Sequence, residues 1–424
     1  MNQKDLLPHL FRTEYRKIIS VLCKLFGIEY IGIAEDIASD TFLMATETWG
    51  QKGLPENPTA WLYVVAKNKA KDYLKHHAVF NKKVAKQIRP ANAETPEIEI
   101  DLSEKNITDS QLQMMFAICH PYISVETQIA LSLRILCGFG IDEIADAFLT
   151  NKETIKKRLL RGKEKLRQEK VPIAFPKKDE INNRLDAVII TLYLLFTEGY
   201  SSSKPGTVLR KELCLEAMRL TYFLIENKWT NQPSVNALLS LMCFHASRLE
   251  ARTNQKGEII LYHDQDETLW DNGLIAKGEY YLNQASQGNK ISKFHLEAGI
   301  AYWHTIKADT KEKWENILQL YNQLLQIEYS PMAALNRTYA LSKARGKAEA
   351  IIEAEKLNLV DKHLYHSLLG ELYIGIDNAK AISHFETGIT LAKSQSDKAV
   401  MGAKIDELRK SKSYECYKKA NIRS

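Results

Sequence analysis

Apolar residues recur along this chain at the spacing of an α-helix, and that period limits the fold more than any other feature. In IDEIADAFLTNKETIKKRLLRGKEKL, residues 141–166, Ile141, Ile144, Ala145 and Phe148 fall at i, i+3, i+4 and i+7, a single helical face. Leu149-Thr150-Asn151 makes a turn, and the Asn151 side chain suits a helix N-cap. In the helix that follows, Ile155, Leu159, Gly162 and Leu166 face inward, leaving Glu153, Lys156, Lys157, Leu160 and Arg161 on the opposite face. The same period runs through residues 10–49 and from Glu180 to the end. With 19 Gly and 11 Pro in 424 residues, breakers are too few for many strands and turns, so an all-α fold of two to four domains is expected.

The breaks that do occur divide the chain. GQKGLPENP, residues 50–58, reads as a loop, with Asn57 capping a helix that starts at Pro58 and runs to about His77. Residues 79–108 lose periodicity and carry Pro90 and Pro96, which predicts a linker; VPIAFPKKD, 171–179, is a second break. YSSSKPG, 200–206, and NQKGE, 254–258, read as short loops. Near the C-terminus, residues 365–392 predict a helical hairpin of the tetratricopeptide kind, with Leu369, Gly370, Tyr373, Ala381, Phe385 and Gly388 at the crossing.

The net charge of +6 is modest, but its distribution is uneven. Lys67–Arg89 holds eight Lys/Arg and one acid, Lys152–Lys170 nine against three, and the acidic stretch Glu94–Asp109 lies between them with six acids. Two basic blocks predict two contacts with a polyanion. A helix packed through one stripe on a preceding short helix, with cations at its outer N-terminal end, has the form of a helix-turn-helix whose second helix enters the major groove. In residues 58–77, Trp61, Tyr63 and Tyr73 alternate with Lys67, Lys71 and Lys75, an arrangement suited to stacking unpaired bases while tracking a backbone; Asn57 and Asn68 can hydrogen-bond base edges.

The remaining features exclude function classes. Six scattered cysteines form no CxxC pair and read as reduced core thiols, MNQKDLLPHLFRTEY has no signal-peptide apolar core, and AVIITLYLLF, 187–196, is too short for a bilayer, so a cytoplasmic protein without a membrane contact is expected. HDQD (263–266), His76-His77 and Cys119-His120 lack ligand spacing, so neither metal nor cofactor is expected. No catalytic constellation stands out, which argues against an enzyme, including a metal-dependent hydrolase built on HDQD.

Three stretches resemble the extracytoplasmic-function sigma factors of bacterial RNA polymerase. EIADAFLTNKETIKKRLLRGKEKLR is similar to their fourth conserved region. AEDIASDTFLMATETW, 34–49, is similar to the polymerase-binding helix of the second region, with Asp36, Asp40, Thr41 and Phe42 at the matching positions and Ser39 in place of the usual Gln. PTAWLYVVAKNKAKDYLK, 58–75, resembles the promoter-reading helix that follows. Further stretches, DSQLQMMFAICHP, YLLFTEGYSS, LLSLMCFHASRLEAR and LYHDQDETLWD, resemble a subgroup with a long tetratricopeptide-like extension, although KGEI, 256–259, stands where that subgroup usually has Asp-Gly-Asp-Leu.

The resemblance implies region 2 at residues 1–78, an acidic linker at 79–108, region 4 at 109–170 and a regulatory extension at 180–424. It implies core RNA polymerase as partner for Asp36, Asp40, Thr41 and Phe42, and promoter DNA for two sets of residues. Asn57, Trp61, Asn68, Lys71 and Lys75 would meet the -10 element, and Glu153, Thr154, Lys156, Lys157, Leu160 and Arg161 the -35 element. The extension would take a regulatory protein or ligand. The competing reading is a polymerase-independent helix-turn-helix regulator with a sensing repeat domain; the acidic 34–49 helix followed by an aromatic–basic one is what such a regulator does not need.

Overall fold

The structure, a computed structural model, describes the backbone of residues 3–85, 99–148, 150–201, 207–252, 254, 260 and 262–421. Every regular element among these residues is helical, as the period required. The chain forms two compact units: Met1–Ser202 with Gly206–Asn231, and Ser203–Pro205 with Gln232–Ser424.

The first unit contains α1 (Gln3–Phe26), α2 (Ile31–Lys52), α3 (Pro58–Ala85), α4 (Glu104–Ile118), α5 (Val125–Leu131), α6 (Ile141–Ala147), α7 (Lys152–Gln168), α8 (Ile181–Ser201) and α9 (Thr207–Glu226). The single helical pattern of residues 10–49 is two helices. Gly27, at φ +97°, ends α1 by donating its N–H to the Cys23 carbonyl at 2.8 Å, and a 3-10 turn at Ile28–Tyr30 starts the next. α1 is the central element, packing on α2, α3 and α4 through Tyr15, Ile18, Ile19 and Leu22, all fully buried.

The expected linker is helical at both ends. α3 continues past His77 to Ala85, and α4 starts at Glu104 under a Ser103 cap. Pro90 and Pro96 lie outside the described residues. The break at 171–179 is found between α7 and α8, whereas most of the loop at 200–206 lies outside the described residues. AVIITLYLLF is part of α8, with Val188, Ile189, Leu192, Leu195 and Phe196 buried, and no helix among the described residues is long and apolar enough to cross a membrane. Five cysteines are free and buried; the Cys416 side chain is outside the description.

The expected extension boundary at 180 does not separate the units, because α8 and α9 belong to the first. The Arg184 guanidinium of α8 donates to the Phe116 carbonyl, and Thr191 Oγ1 donates to Gln128 Oε1 at 2.7 Å. From α9, Arg219 Nη2 donates to the Leu136 carbonyl at 2.8 Å, while Glu212 and Glu216 accept from Arg12 and Arg16 of α1. These contacts join residues 63 to 200 positions apart, which no local pattern announces.

The second unit runs α10 (Pro233–Ala246), α11 (Asn272–Ala285), α12 (Lys293–Trp303), α13 (Lys311–Ile327), α14 (Pro331–Arg345), α15 (Lys347–Leu357), α16 (His363–Tyr373), α17 (Asn378–Leu391) and α18 (Gln395–Asn421). From α13 on, each helix packs mainly on its chain neighbours. The expected hairpin is α16–α17, with Leu369, Tyr373, Ala381 and Phe385 buried at the crossing. A Cβ on Gly370 would stand 2.5 Å from the Phe385 ring, so the helices meet at backbone distance. KGEI at 256–259 lies outside the described residues.

Candidate nucleic-acid interface

α3 begins as its sequence requires: Asn57 Oδ1 accepts the Ala60 N–H at 3.0 Å and Pro58 occupies the first turn. Leu62, Ala66 and Ala70, at i, i+4 and i+8, are buried against the domain. On a helical wheel Trp61, Asn68, Lys71 and Lys75 lie on the other side, with Val64 between them at 56% exposure. Asn68 and Lys75 are exposed; Trp61 and Lys71 are half-buried.

The aromatic residues of α3 are not all available for stacking. Trp61 meets Trp49 edge-on at 5.3 Å between centroids, which leaves it partly open. Tyr63 donates to Glu14 Oε2 at 2.6 Å, and burial together with Glu14 pushes its phenol pKa up. Tyr73 leans on Phe26 at 5.5 Å. Tyr63 and Tyr73 therefore anchor α3 to α1, and among the described side chains of α3 the outward stripe is aromatic only at Trp61.

On α2, Asp36 and Asp40 are exposed, and Asp40 lies 3.5 Å from Lys69 of α3. Thr41 and Phe42 point the other way, against the expectation that they touch a partner. Thr41 is fully buried and donates to the Ile37 carbonyl at 2.7 Å; Phe42 packs edge-on against Phe11 at 5.0 Å and also reaches Tyr15. Apolar Phe42 gains by burial about 1.5–3 kcal/mol, which is why it holds the core. The residues that do face outward beside the acids are Leu43 and Met44, 58% and 40% exposed. The sequence signal for them was the helical period itself, which puts positions 43 and 44 off the buried 38–42–45–49 stripe.

α6 and α7 carry the expected cap and inward stripe. Asn151 Oδ1 accepts the Thr154 N–H at 2.8 Å, and Ile155, Leu159, Gly162 and Leu166 are buried. Ile144 and Ala145 of α6 are buried and Phe148 half-buried beneath the Arg158 guanidinium, 5.3 Å from the ring centroid; Leu149 is outside the described residues. A Cβ on Gly162 would lie 2.5 Å from Thr127 Cγ2 and 3.1 Å from Leu131, so α7 rests almost directly on α5. Glu153, Lys156, Lys157, Leu160 and Arg161 are exposed and Thr154 half-buried. Lys156 and Glu153 bond at 2.8 Å, and each favours the other's charged form, raising the lysine pKa and lowering the carboxyl's. The structure thus brings Lys156, Lys157 and Arg161 of α7 onto one outward face.

The two stripes sit in one unit tied together by ion pairs that sequence reasoning missed. Glu35, next to exposed Asp36, takes Lys163 of α7 and lies 3.5 Å from Arg134 Nε. Arg134 also donates to Tyr15 Oη and to the Phe139 carbonyl, each at 3.1 Å. Arg12 reaches Glu143 of α6 at 2.6 Å. Among the described residues, no group of three His, Cys, Asp or Glu is placed to hold a metal. Cys119 is buried, and burial with the nearby Arg184 lowers His120 to about 4; Asp266 of HDQD caps a 3-10 turn, accepting from the Thr268 N–H at 2.9 Å.

Residues 10–79, covering most of α1, all of α2 and most of α3, match the family model for sigma-70 region 2. Residues 10–79 are thus similar to a sigma-70 region 2. This region supports a sigma-factor-like role in transcription initiation. The sigma-70 region ends well before α4. Residues 184–286, running from α8 into the second unit, match a family of unknown function, DUF6596. Over 394 residues the chain is 29% identical to "Uncharacterized protein R00370" of Rhizobium meliloti (strain 1021), covering 89% of this chain and 90% of that protein. No solved structure matches the chain.

Proposed function

We propose that this protein is a sigma factor of the extracytoplasmic-function type, which binds core RNA polymerase and directs promoter-specific initiation, with the second unit modulating that activity. The observation that carries the proposal is the sigma-70 region 2 match at residues 10–79. The outward face of α2, with Asp36, Asp40, Leu43 and Met44, is the polymerase-docking surface; its acids and exposed apolar side chains suit a partner that buries both. Trp61, Asn68, Lys71 and Lys75 on α3, with Asn57 at its start, hold the -10 strand by stacking, hydrogen bonds and backbone charge. Glu153, Thr154, Lys156, Lys157, Leu160 and Arg161 on α7 meet the -35 element in the major groove. The helical hairpins of the second unit serve as a tetratricopeptide-like modulating domain.

The test is transcription in vitro with purified core polymerase and the full chain. Promoter-dependent transcripts are expected, and Asp36→Lys with Asp40→Lys should abolish capture of core. Arg161→Ala should cost about 1–3 kcal/mol in binding promoter DNA if it reads a base. No transcript with core and normal core capture by the double variant would each count against the proposal. A form lacking the second unit should end near Asn231, because α8 and α9 complete the first unit; its activity should differ from that of the full chain.

A further inference from the structure

We propose that the second unit binds a small organic anion, an oxyanion group joined to a flat apolar body, in the cavity bounded by the end of α10, the turn at Tyr262–Asp264 and the facing ends of α12, α13 and α14. The cavity is about 500 Å³, within the range of small-molecule sites. It lies wholly within this unit, and nothing in the sigma-70 region contributes to it.

Its charge is the first argument. Four cations, Arg248, Lys307, Lys313 and Lys343, line it against one carboxylate, Asp309. Asp309 is already engaged: Oδ2 takes Lys343 at 2.6 Å and Oδ1 accepts from the Trp314 indole N–H. Lys313 is 1% exposed, yet its ammonium donates only to neutral oxygens, Tyr262 Oη at 3.1 Å and the Ile306 carbonyl. Arg248 is 7% exposed, and its Nε has no hydrogen-bond partner. Its guanidinium lies over the Tyr262 and Trp270 rings, at 5.4 and 5.9 Å from their centroids. Buried cations are normally paired with anions, because desolvating an unpaired charge costs several kcal/mol, about the value of a strong interaction. A site that gathers four cations around one carboxylate already engaged by Lys343 and Trp314, with Glu267 reaching only Lys307 at 3.8 Å, is completed by an anion from outside.

The second argument is shape. Tyr262, His304, Trp314 and Tyr339 form an aromatic wall, each meeting the next edge-on: Tyr262 to His304 at 5.2 Å, His304 to Trp314 at 5.9 Å and Trp314 to Tyr339 at 5.5 Å. Flat apolar groups pack well on such surfaces. Burial and the flanking Arg248 and Lys313 hold His304 to a pKa of about 3, so its ring is neutral at physiological pH, and its Nδ1 lacks a partner inside the protein. Burial likewise lowers the Lys313 pKa, against the pull of Asp309, and an anion in the cavity would restore it. A polyanion passing over the surface would reach Lys343 but not Arg248 or Lys313, which is why the occupant is a small molecule.

The experiment is calorimetric titration of the full chain with four probes: phenyl phosphate, benzoate, inorganic phosphate and neutral benzyl alcohol. Saturable binding of phenyl phosphate or benzoate is expected, with a raised Tm, and the stronger of the two distinguishes a phosphate from a carboxylate head. Lys343→Gln, at the partly exposed mouth, should keep the fold and weaken that binding at least fivefold; Arg248→Gln should weaken it further where it folds. Absence of binding by both aromatic anions at millimolar concentration would overturn the proposal. So would benzyl alcohol binding as tightly as the anions, inorganic phosphate binding as tightly as phenyl phosphate, or unchanged binding in Lys343→Gln. Because the readout is binding, its result is independent of whether the chain supports transcription.

Discussion

In the first unit, helices far apart in sequence are tied by charged side chains: Arg16 to Glu216, Lys163 to Glu35, and Arg12 to both Glu143 and Glu212. In the second, α16 meets α17 through Phe385 against Gly370, and ion pairs such as Arg345–Glu315, 44% and 38% exposed, lie at the surface. The first is a set of pieces latched at long range, the second a stack in which each helix needs mainly its neighbours. Partly buried ion pairs add specificity of arrangement more than stability, and they break when either partner finds a better one. A latch of that kind suits a unit that has to rearrange on a partner; a neighbour-packed stack suits a unit that keeps a cavity in shape.

Four measurements would break or sharpen this contrast. Phe385→Ala removes a fully buried ring and should cost about 3–5 kcal/mol. Hydrogen exchange should then rise in α16, α17 and their neighbours and stay unchanged in α1–α9; loss of protection in the first unit would break the comparison. Arg16→Met strands Glu216 except for Arg219, 2.8 Å away, so the loss should be about 2 kcal/mol rather than the 3–5 of a wholly orphaned buried charge. Here protection should fall in α1 and α9 together, although they are 200 residues apart.

The third concerns acid. His304 is held near 3 in the folded chain against about 6.5 unfolded, so the unfolded state binds the extra proton between those values. Stability from this site is present above about pH 6.5 and is lost as pH falls through the window, by about 2 kcal/mol at pH 5. His304→Gln should flatten that part of the pH profile in the second unit; an unchanged profile would remove His304 as its source. The smallest effect is expected at the latch between α2 and α7. Lys163 and Glu35 have side chains 21% and 13% exposed, and a double-mutant cycle with Lys163→Ala and Glu35→Ala should give a coupling of about 1 kcal/mol. A coupling near zero would mean that packing through Gly162 and Leu131, not charge, holds α7 in place.

Much of the candidate interface could be read without the structure. The caps at Asn57 and Asn151 and the inward stripe of α7 depend on residues within one or two turns of each other, so the local period carries them. The same logic failed where two helices compete for one side chain. Thr41 and Phe42 match a motif, but Phe42 packs on Phe11 and Tyr15 of α1, Thr41 bonds back to the Ile37 carbonyl of its own helix, and Tyr63 turns to the Glu14 carboxylate of α1. The break at Gly27 was missed because the apolar spacing continues across it.

What the sequence by itself determined is the helical class, the placement of most helices and the side of each that faces out, since these follow from the 3.6-residue period and from caps a few residues long. What only the tertiary structure decided is which helices share a body. The assignment of α8 and α9 to the first unit rests on Arg184, Thr191, Glu212 and Glu216 meeting partners 63 to 200 residues away. The same holds for the cavity, where Arg248, Lys313 and Lys343 converge from three separate segments. A lone cation in a sequence reads as a solvated one; only packing shows that it was taken out of water, and so that it needs a counter-charge.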